Sequence, residues 1–155
     1  SGNKIGTIVA CETNLFFPGL FRHHSLWFYG GLQENKINPN SFYQFAGFVN
    51  YPRGYHGQEN QDLFSLKCNY KLPLFYPDWG IGSLLYIKRF KLNLFYDYAE
   101  GSGLGYRNIY NSTGAELTAD LHILRFIFPF DLGVRCTYLP ETQGIGFEFL
   151  YAINY

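Results

Sequence analysis

Phe147-Glu-Phe-Leu-Tyr-Ala-Ile-Asn-Tyr155 closes the chain. Phe147, Phe149, Tyr151, Ile153 and Tyr155 recur at period two, with Glu148, Ala152 and Asn154 between them and Leu150 the only large apolar residue of the second set. A period of two marks an extended strand, whose side chains alternate across the sheet. One face is therefore aromatic and the other wet. The aromatic face reaches the last residue, whereas the ends of soluble domains usually fray in polar residues. Two environments suit such a strand: the interior of a soluble sandwich, or lipid.

Composition separates the two. The 155 residues fit one domain. Sixteen Phe and fourteen Tyr help bring the aromatic share to 21%, yet mean hydropathy is only −0.13. A soluble core does not need so many rings. A transmembrane β-barrel does, because rings lie along its lipid face and at both interfaces while a polar lumen holds the average down. The 12 Lys and Arg balance the 12 Asp and Glu, so no basic field points to nucleic acid. No run of about 18 apolar residues is present, which excludes a transmembrane helix. Ser1-Gly-Asn-Lys carries no signal peptide, so an exported protein is expected to be represented here by a mature or truncated part. Cys11, Cys68 and Cys136 are odd in number and widely spaced, against a metal site or a full disulfide set. No cofactor is expected.

About seven strands follow along the chain, and no helix. Ile5 to Phe17 alternates, with Thr7, Val9, Cys11, Thr13 and Leu15 facing away from Ala10, Glu12 and Asn14. His24 to Gln33 reads as a second strand, and Glu34 to Asn60 as a long irregular loop, a length that in a compact domain usually means function or disorder. Phe64, Leu66, Cys68, Tyr70 and Leu72 alternate with Ser65, Lys67, Asn69 and Lys71; Leu72 to Gly80 reads as a turn. From Leu84 to Tyr98 a fourth strand sets Phe90, Leu92, Leu94, Tyr96 and Tyr98 against Arg89, Lys91, Asn93 and Asp97. Lys88 breaks the apolar phase, as expected where a strand leaves hydrocarbon for headgroups. Ala99 to Arg107, rich in glycine, reads as a loop. Ala115 to Ile123, Leu132 to Tyr138 and Ile145 to Tyr155 complete the set, with an aromatic turn at Phe126-Ile-Phe-Pro. The second face of these strands carries Lys, Arg, Asp, Glu and His. That is an odd interior for a sandwich, whose inner faces are apolar, and a suitable lining for a water-filled lumen.

With the last strand ending at the periplasm, Glu34–Asn60, Ala99–Arg107 and Pro140–Gly144 become extracellular and the turns at Phe17, Pro73 and Pro129 periplasmic. The longest loop holds Tyr51-Pro-Arg-Gly-Tyr-His-Gly57. Its Arg53-Gly54-Tyr55 resembles the Arg-Gly-Phe/Tyr motif in the lumen-entering loop of one barrel superfamily, that of the assembly factor BamA, the related TamA and two-partner secretion transporters. Phe95-Tyr-Asp97-Tyr-Ala99 is similar to that superfamily's Asp motif on a following strand, and a strand entered through Ser112-Thr-Gly-Ala-Glu116 and the aromatic terminus follow in the same order. The resemblance spans nearly all of residues 1–155, as the C-terminal part, the last seven strands, of a sixteen-stranded barrel. It implies that Arg53 reaches into the lumen and pairs with Asp97, with Asn69 and Glu116 nearby. A guanidinium can fork onto a carboxylate, and Gly54 suits a tight loop tip. Ala99 stands where the superfamily usually has glycine and Asn69 where some relatives are acidic, so a less buttressed loop is expected.

The resemblance further implies a non-enzymatic outer-membrane role: inserting barrels or passing polypeptides, with unfolded chains, outer-membrane lipid and other assembly subunits or a second barrel chain as partners. The edge of the C-terminal signal strand (Phe147, Phe149, Tyr151, Ile153, Tyr155) would accept an incoming strand. An anchor for an appended domain is the alternative, and an outer-membrane hydrolase the second: Glu116, Asp120 and His122 share one face, with Ser65 or Ser112 as nucleophile. His23-His24 would point apart in a strand, and Gly101-Ser-Gly-Leu-Gly precedes no helix that could cradle phosphate. Seven strands do not close such a barrel, so the open edge must be satisfied by missing strands or another chain.

Overall fold

The computed structural model describes residues 6–37, 47–56, 60–82, 84–103, 105–123 and 130–153, with the backbone alone at Ile37, Ile81, Ile123 and Ile153. Tyr155 and the Phe126–Pro129 turn lie outside the described residues. Eight strands form one antiparallel sheet: β1 (Gly6–Pro18), β2 (Ser25–Ile37), β3 (Asp62–Phe75), β4 (Trp79–Ile81), β5 (Leu85–Gly103), β6 (Tyr106–Ile123), β7 (Phe130–Leu139) and β8 (Gly144–Ile153). Their order is β1-β2-β3-β5-β6-β7-β8, with short β4 paired to β5 off this path. Each strand of the path neighbours the next in sequence apart from β4, a meander that hairpin connections make directly. The sheet is open, with β1 at one edge and β8 at the other.

The seven strands of the path correspond to those expected, with differences at several strand ends and connections. β2 continues past Gln33 to Ile37, because Glu34, Asn35 and Lys36 put polar side chains on both faces and hide the alternation. The connection to β3 therefore begins after Ile37 rather than at Glu34. The stretch expected to be one turn from Leu72 to Gly80 contains β4, whose Trp79, Gly80 and Ile81 pair with Ile87, Tyr86 and Leu85. Three residues are too few to show a period.

The glycine-rich segment Ala99–Arg107 is not a loop. β5 and β6 continue through it as paired strands to Gly103↔Tyr106, and Gly105 takes the turn at φ +86°. The glycines here make room: a Cβ on Gly101 would collide with the Asn60 side chain, and one on Gly103 with the Tyr106 ring. Lys88, finally, marks a register shift between Ile87 and Arg89. An extra residue in one strand flips the alternation locally, and that explains the broken phase.

Cross-strand partners share a face, so the register sorts every residue. Ser65, Lys67 and Asn69 on β3 stand opposite Ala99, Asp97 and Phe95 on β5, which stand opposite Tyr110, Ser112 and Gly114 on β6. This face, called inner here, is covered by the Phe48–Tyr55 segment between β2 and β3. The small apolar core lies between that segment and the sheet, where buried Val49, Leu63, Ala99 and Tyr110 pack with Tyr51 and Tyr55. The outer face is apolar and uncovered. Val9, Leu15, Phe28, Leu32, Leu66, Leu94, Tyr96, Leu117, Leu132, Val134, Phe147, Phe149 and Tyr151 are all exposed on it. Cys11, Cys68 and Cys136 point the same way and are free thiols.

Candidate functional site

The inner face gathers polar groups because each strand contributes its polar alternation to it. Asp97 on β5 and Asn69 on β3 are 0% exposed, and both are buried by the loop rather than by a second layer of structure. The loop crosses the strands in sequence. Gln33 Oε1 on β2 accepts from the backbone N–H of Phe48 at 2.7 Å and of Val49 at 3.1 Å. Tyr29 Oη accepts from Asn50 N–H at 3.2 Å and itself donates to Glu12 on β1 at 2.6 Å. On β3, Ser65 Oγ donates to the Asn50 carbonyl at 2.8 Å and Lys67 Nζ to the Tyr51 carbonyl at 2.7 Å. Tyr55 Oη reaches the Asn111 carbonyl on β6 at 3.1 Å. An irregular segment buried on a surface needs such partners for its main chain, and the strands supply them one after another.

Arg53 sits at the centre of this crossing. Its guanidinium is 12% exposed, with Nε 3.3 Å from Asp97 Oδ2 and Nη1 3.1 Å from Glu116 Oε1. Nη2 donates to Asn69 Oδ1 at 2.5 Å, and the backbone N–H of Arg53 donates to Asp97 Oδ2 at 3.0 Å. The expected fork onto Asp97 is thus replaced by a spread over β3, β5 and β6. The reason is geometric. Asp97 Oδ2 already takes the backbone N–H, and the guanidinium lies over the Phe95 ring at 4.0 Å from its centroid, the arrangement that suits a flat cation on a π-face. Burial draws the Arg53 guanidinium below its ordinary range, and the carboxylates of Asp97 and Glu116 push it back up.

Gly54 follows at φ +85°, and a Cβ added there would crowd the side chains of Leu139 and Thr137 of β7. That left-handed conformation favours glycine. Tyr55 turns its ring edge-on to Tyr110 at 5.1 Å. Arg53, Gly54 and Tyr55 therefore each do something different: charge neutralisation, turn, and anchoring at the far side of the sheet. Ala99 packs its methyl group, 0% exposed, beneath the loop. Together with the Asn69 acceptor, this contact works against the looseness expected from these two departures.

Three residues of the site, Phe95, Asn93 and Arg135, were given no role at Arg53 from sequence. Phe95 is an aromatic in the polar alternation of β5, and that broken phase was the available signal. Asn93 donates to Asn69 at 3.0 Å and to Glu116 at 2.8 Å. Arg135 on β7 bridges Glu116 at 2.7 Å and Glu148 at 2.6 Å. Only cross-strand register brings these together, and register is not visible in one strand's sequence. No known family, curated protein or solved structure matches the chain.

The other constellations are placed apart. Asp120 is held by Arg89 and Lys91, and Lys91 also reaches Asp131 at 2.9 Å. Ser65 donates to the Asn50 carbonyl, and the Ser112 hydroxyl is buried without a hydrogen-bond partner among the described residues. His122 lies 6.0 Å from the Tyr86 ring. His24 Nδ1 meets Tyr70 Oη at 2.7 Å, while His23 takes a positive φ of 67° in the turn. In β8, Phe147, Phe149 and Tyr151 point outward, with Phe149 89% exposed.

Proposed function

We propose that the chain is the C-terminal part of a bacterial outer-membrane β-barrel of the BamA, TamA and two-partner-secretion superfamily, and that it handles unfolded polypeptide, inserting it into the membrane or passing it across. The observation that carries this reading is Arg53, set by a loop onto Asp97, Asn69 and Glu116 of three neighbouring strands. The uncovered apolar face supports it, because soluble monomers rarely expose contiguous apolar surface on this scale. On β3 the outward apolar residues run from Phe64 to Leu72, roughly 26 Å of strand at about 3.3 Å per residue. Tilted by about 35–45° as barrel strands are, that length rises about 20 Å along the membrane normal, most of an apolar band of about 25 Å. Lipid is then the outer partner and water the inner one. The open edges at β1 and β8 leave backbone groups for further strands.

The anchoring reading draws on one observation of its own: Phe48–Tyr55 is bonded to β2, β3, β5 and β6 in turn, a latch suited to a permanently filled lumen. A reconstitution distinguishes the two. The purified chain is placed in phospholipid vesicles, a urea-unfolded outer-membrane barrel protein is added, and its folding is followed by heat-modifiable gel mobility. Faster folding than in empty vesicles is expected, with the gain reduced in Arg53→Ala. Equal rates with and without the chain would remove the insertion reading and leave anchoring.

A further inference from the structure

The inner face carries a cavity of about 450 Å³ near the turns that follow β1 and β3, away from Phe48–Tyr55. Small-molecule sites have volumes of about 300–1,000 Å³. Register brings its polar lining together from four strands. Ser25 stands opposite Lys71, Lys71 opposite Asn93, and Lys91 opposite Thr118, with Arg89 two residues further along β5. The lining therefore holds three permanent cations, Lys71, Arg89 and Lys91, and two hydroxyl donors, Ser25 and Thr118. Glu116 and Asp131 are the carboxylates beside them.

Each carboxylate is already paired. Glu116 is held by Arg53 at 3.1 Å and Arg135 at 2.7 Å. Asp131 meets Lys91 at 2.9 Å, and buried Asp120 meets both Lys91 and Arg89. Lys71 is left over. Among the described residues it forms no ion pair, and its ammonium stands 5.7 Å from the centroid of the Trp27 ring. The other lysines and arginines of the inner face do not share this state: Arg53, Arg89, Lys91 and Arg135 meet carboxylates, and Lys67 meets the Tyr51 carbonyl. With Glu116 assigned to its two arginines, the cavity sets Lys71, Arg89 and Lys91 against Asp120 and Asp131. One positive charge remains, at Lys71.

We propose that this cavity binds a phosphomonoester, free in solution or carried by a lipid headgroup. Lys71 supplies the charge and Ser25, directly opposite, a hydroxyl donor to the phosphate oxygens. A hydrogen bond between an ammonium and a phosphate is charge-assisted and about twice as strong as a neutral one. The rest of the cavity, with Arg89 and Thr118, has room and donors for the group to which the phosphate is attached. The proposal needs only a wet inner face and does not rest on the handling of polypeptide.

The test is a calorimetric titration of the whole chain, folded in detergent, with glycerol 3-phosphate at constant ionic strength, so that general screening does not change. One saturable site per chain is expected, and glycerol alone should give none. Lys71→Gln should weaken binding about tenfold, the loss of one hydrogen bond to a charged group. Lys88→Gln removes the same charge at the register shift of β5, outside the cavity lining, and should leave binding unchanged. Asp131→Asn should tighten it about threefold, because Lys91 is released from one of its two carboxylates. Heat that does not saturate would overturn the proposal. So would equal weakening in Lys71→Gln and Lys88→Gln, or weaker binding in Asp131→Asn. Repeating the titration in phosphatidylcholine vesicles containing phosphatidic acid or phosphatidylglycerol separates the two sources. Loss of the site with phosphatidic acid alone supports a lipid headgroup as the ligand, and a site that persists in both supports the soluble ester.

Discussion

β5 carries two opposite surfaces on one backbone. Asn93, Phe95, Asp97 and Ala99 are between 0% and 8% exposed, while Leu94 and Tyr96, set between them, are 46% and 52% exposed. An ordinary sheet buries its apolar alternation and leaves the polar one wet. Here the charges are covered and the apolar side chains are not. Among the described residues, the cover is a single stretch of irregular chain, Phe48–Tyr55, rather than a second layer of sheet or helix. The comparison teaches that burial on the inner face depends on one tether, whereas the outer face depends on the surrounding medium. The two should therefore fail in different ways.

The largest effect is expected where the tether is cut. Arg53→Ala leaves Asp97 and Glu116 covered without their shared cation, and removing one partner of a buried ion pair costs about 3–5 kcal/mol. The Phe48–Tyr55 segment should become sensitive to limited proteolysis while the strands remain protected. If the segment stays resistant in the variant, Gln33, Ser65 and Lys67 hold it without Arg53, and the inner face does not hinge on one residue.

The second effect separates the faces within β8. On the proposed reading, Phe149→Glu places a charge against lipid and should lower stability in vesicles by about 2 kcal/mol. Glu148→Leu changes the neighbouring residue on the inner face, where Arg135 retains Glu116 at 2.7 Å, and should cost less than about 1 kcal/mol. Urea titrations of the two variants in vesicles compare them directly. Equal losses would mean that the faces do not differ in their surroundings.

How much of this was legible depends on the range of each interaction. Alternation is local, so β3 and β8 could be read from their own residues, and each face was assigned from phase alone. The Arg53-Gly54-Tyr55 and Asp97 sites stood out through a resemblance in order and spacing. What stayed hidden is set by pairing at a distance. Arg135 is an ordinary cation in a polar phase until register places it between Glu116 and Glu148. Phe95 looks like a misplaced aromatic until Arg53, forty-two positions earlier, lies on its ring. The glycines from Gly101 to Gly105 signal a loop by composition, yet they serve paired strands, because the missing side chains admit Asn60 and Tyr106.

The smallest effect tests the far end of the tether. Tyr55 Oη donates to the Asn111 carbonyl, and its ring packs on Tyr110. Tyr55→Phe keeps the ring and removes the donor, so the loss should be about 1 kcal/mol, that of one hydrogen bond. Burial pushes the Tyr55 phenol up from its ordinary value, and the Glu141 carboxylate adds to the shift. A phenol raised above about 10 keeps its proton throughout the neutral range. The sign follows: the donor is present below that raised value and is lost only as pH climbs through it. The difference between the parent chain and Tyr55→Phe should therefore stay constant from about pH 6 to pH 9. A difference that shrinks within that window would mean that the hydroxyl does not serve as the donor to Asn111. Tyr55 would then anchor the loop by its ring alone, and the inner face would owe its cover to Arg53 and to packing rather than to a second polar tie.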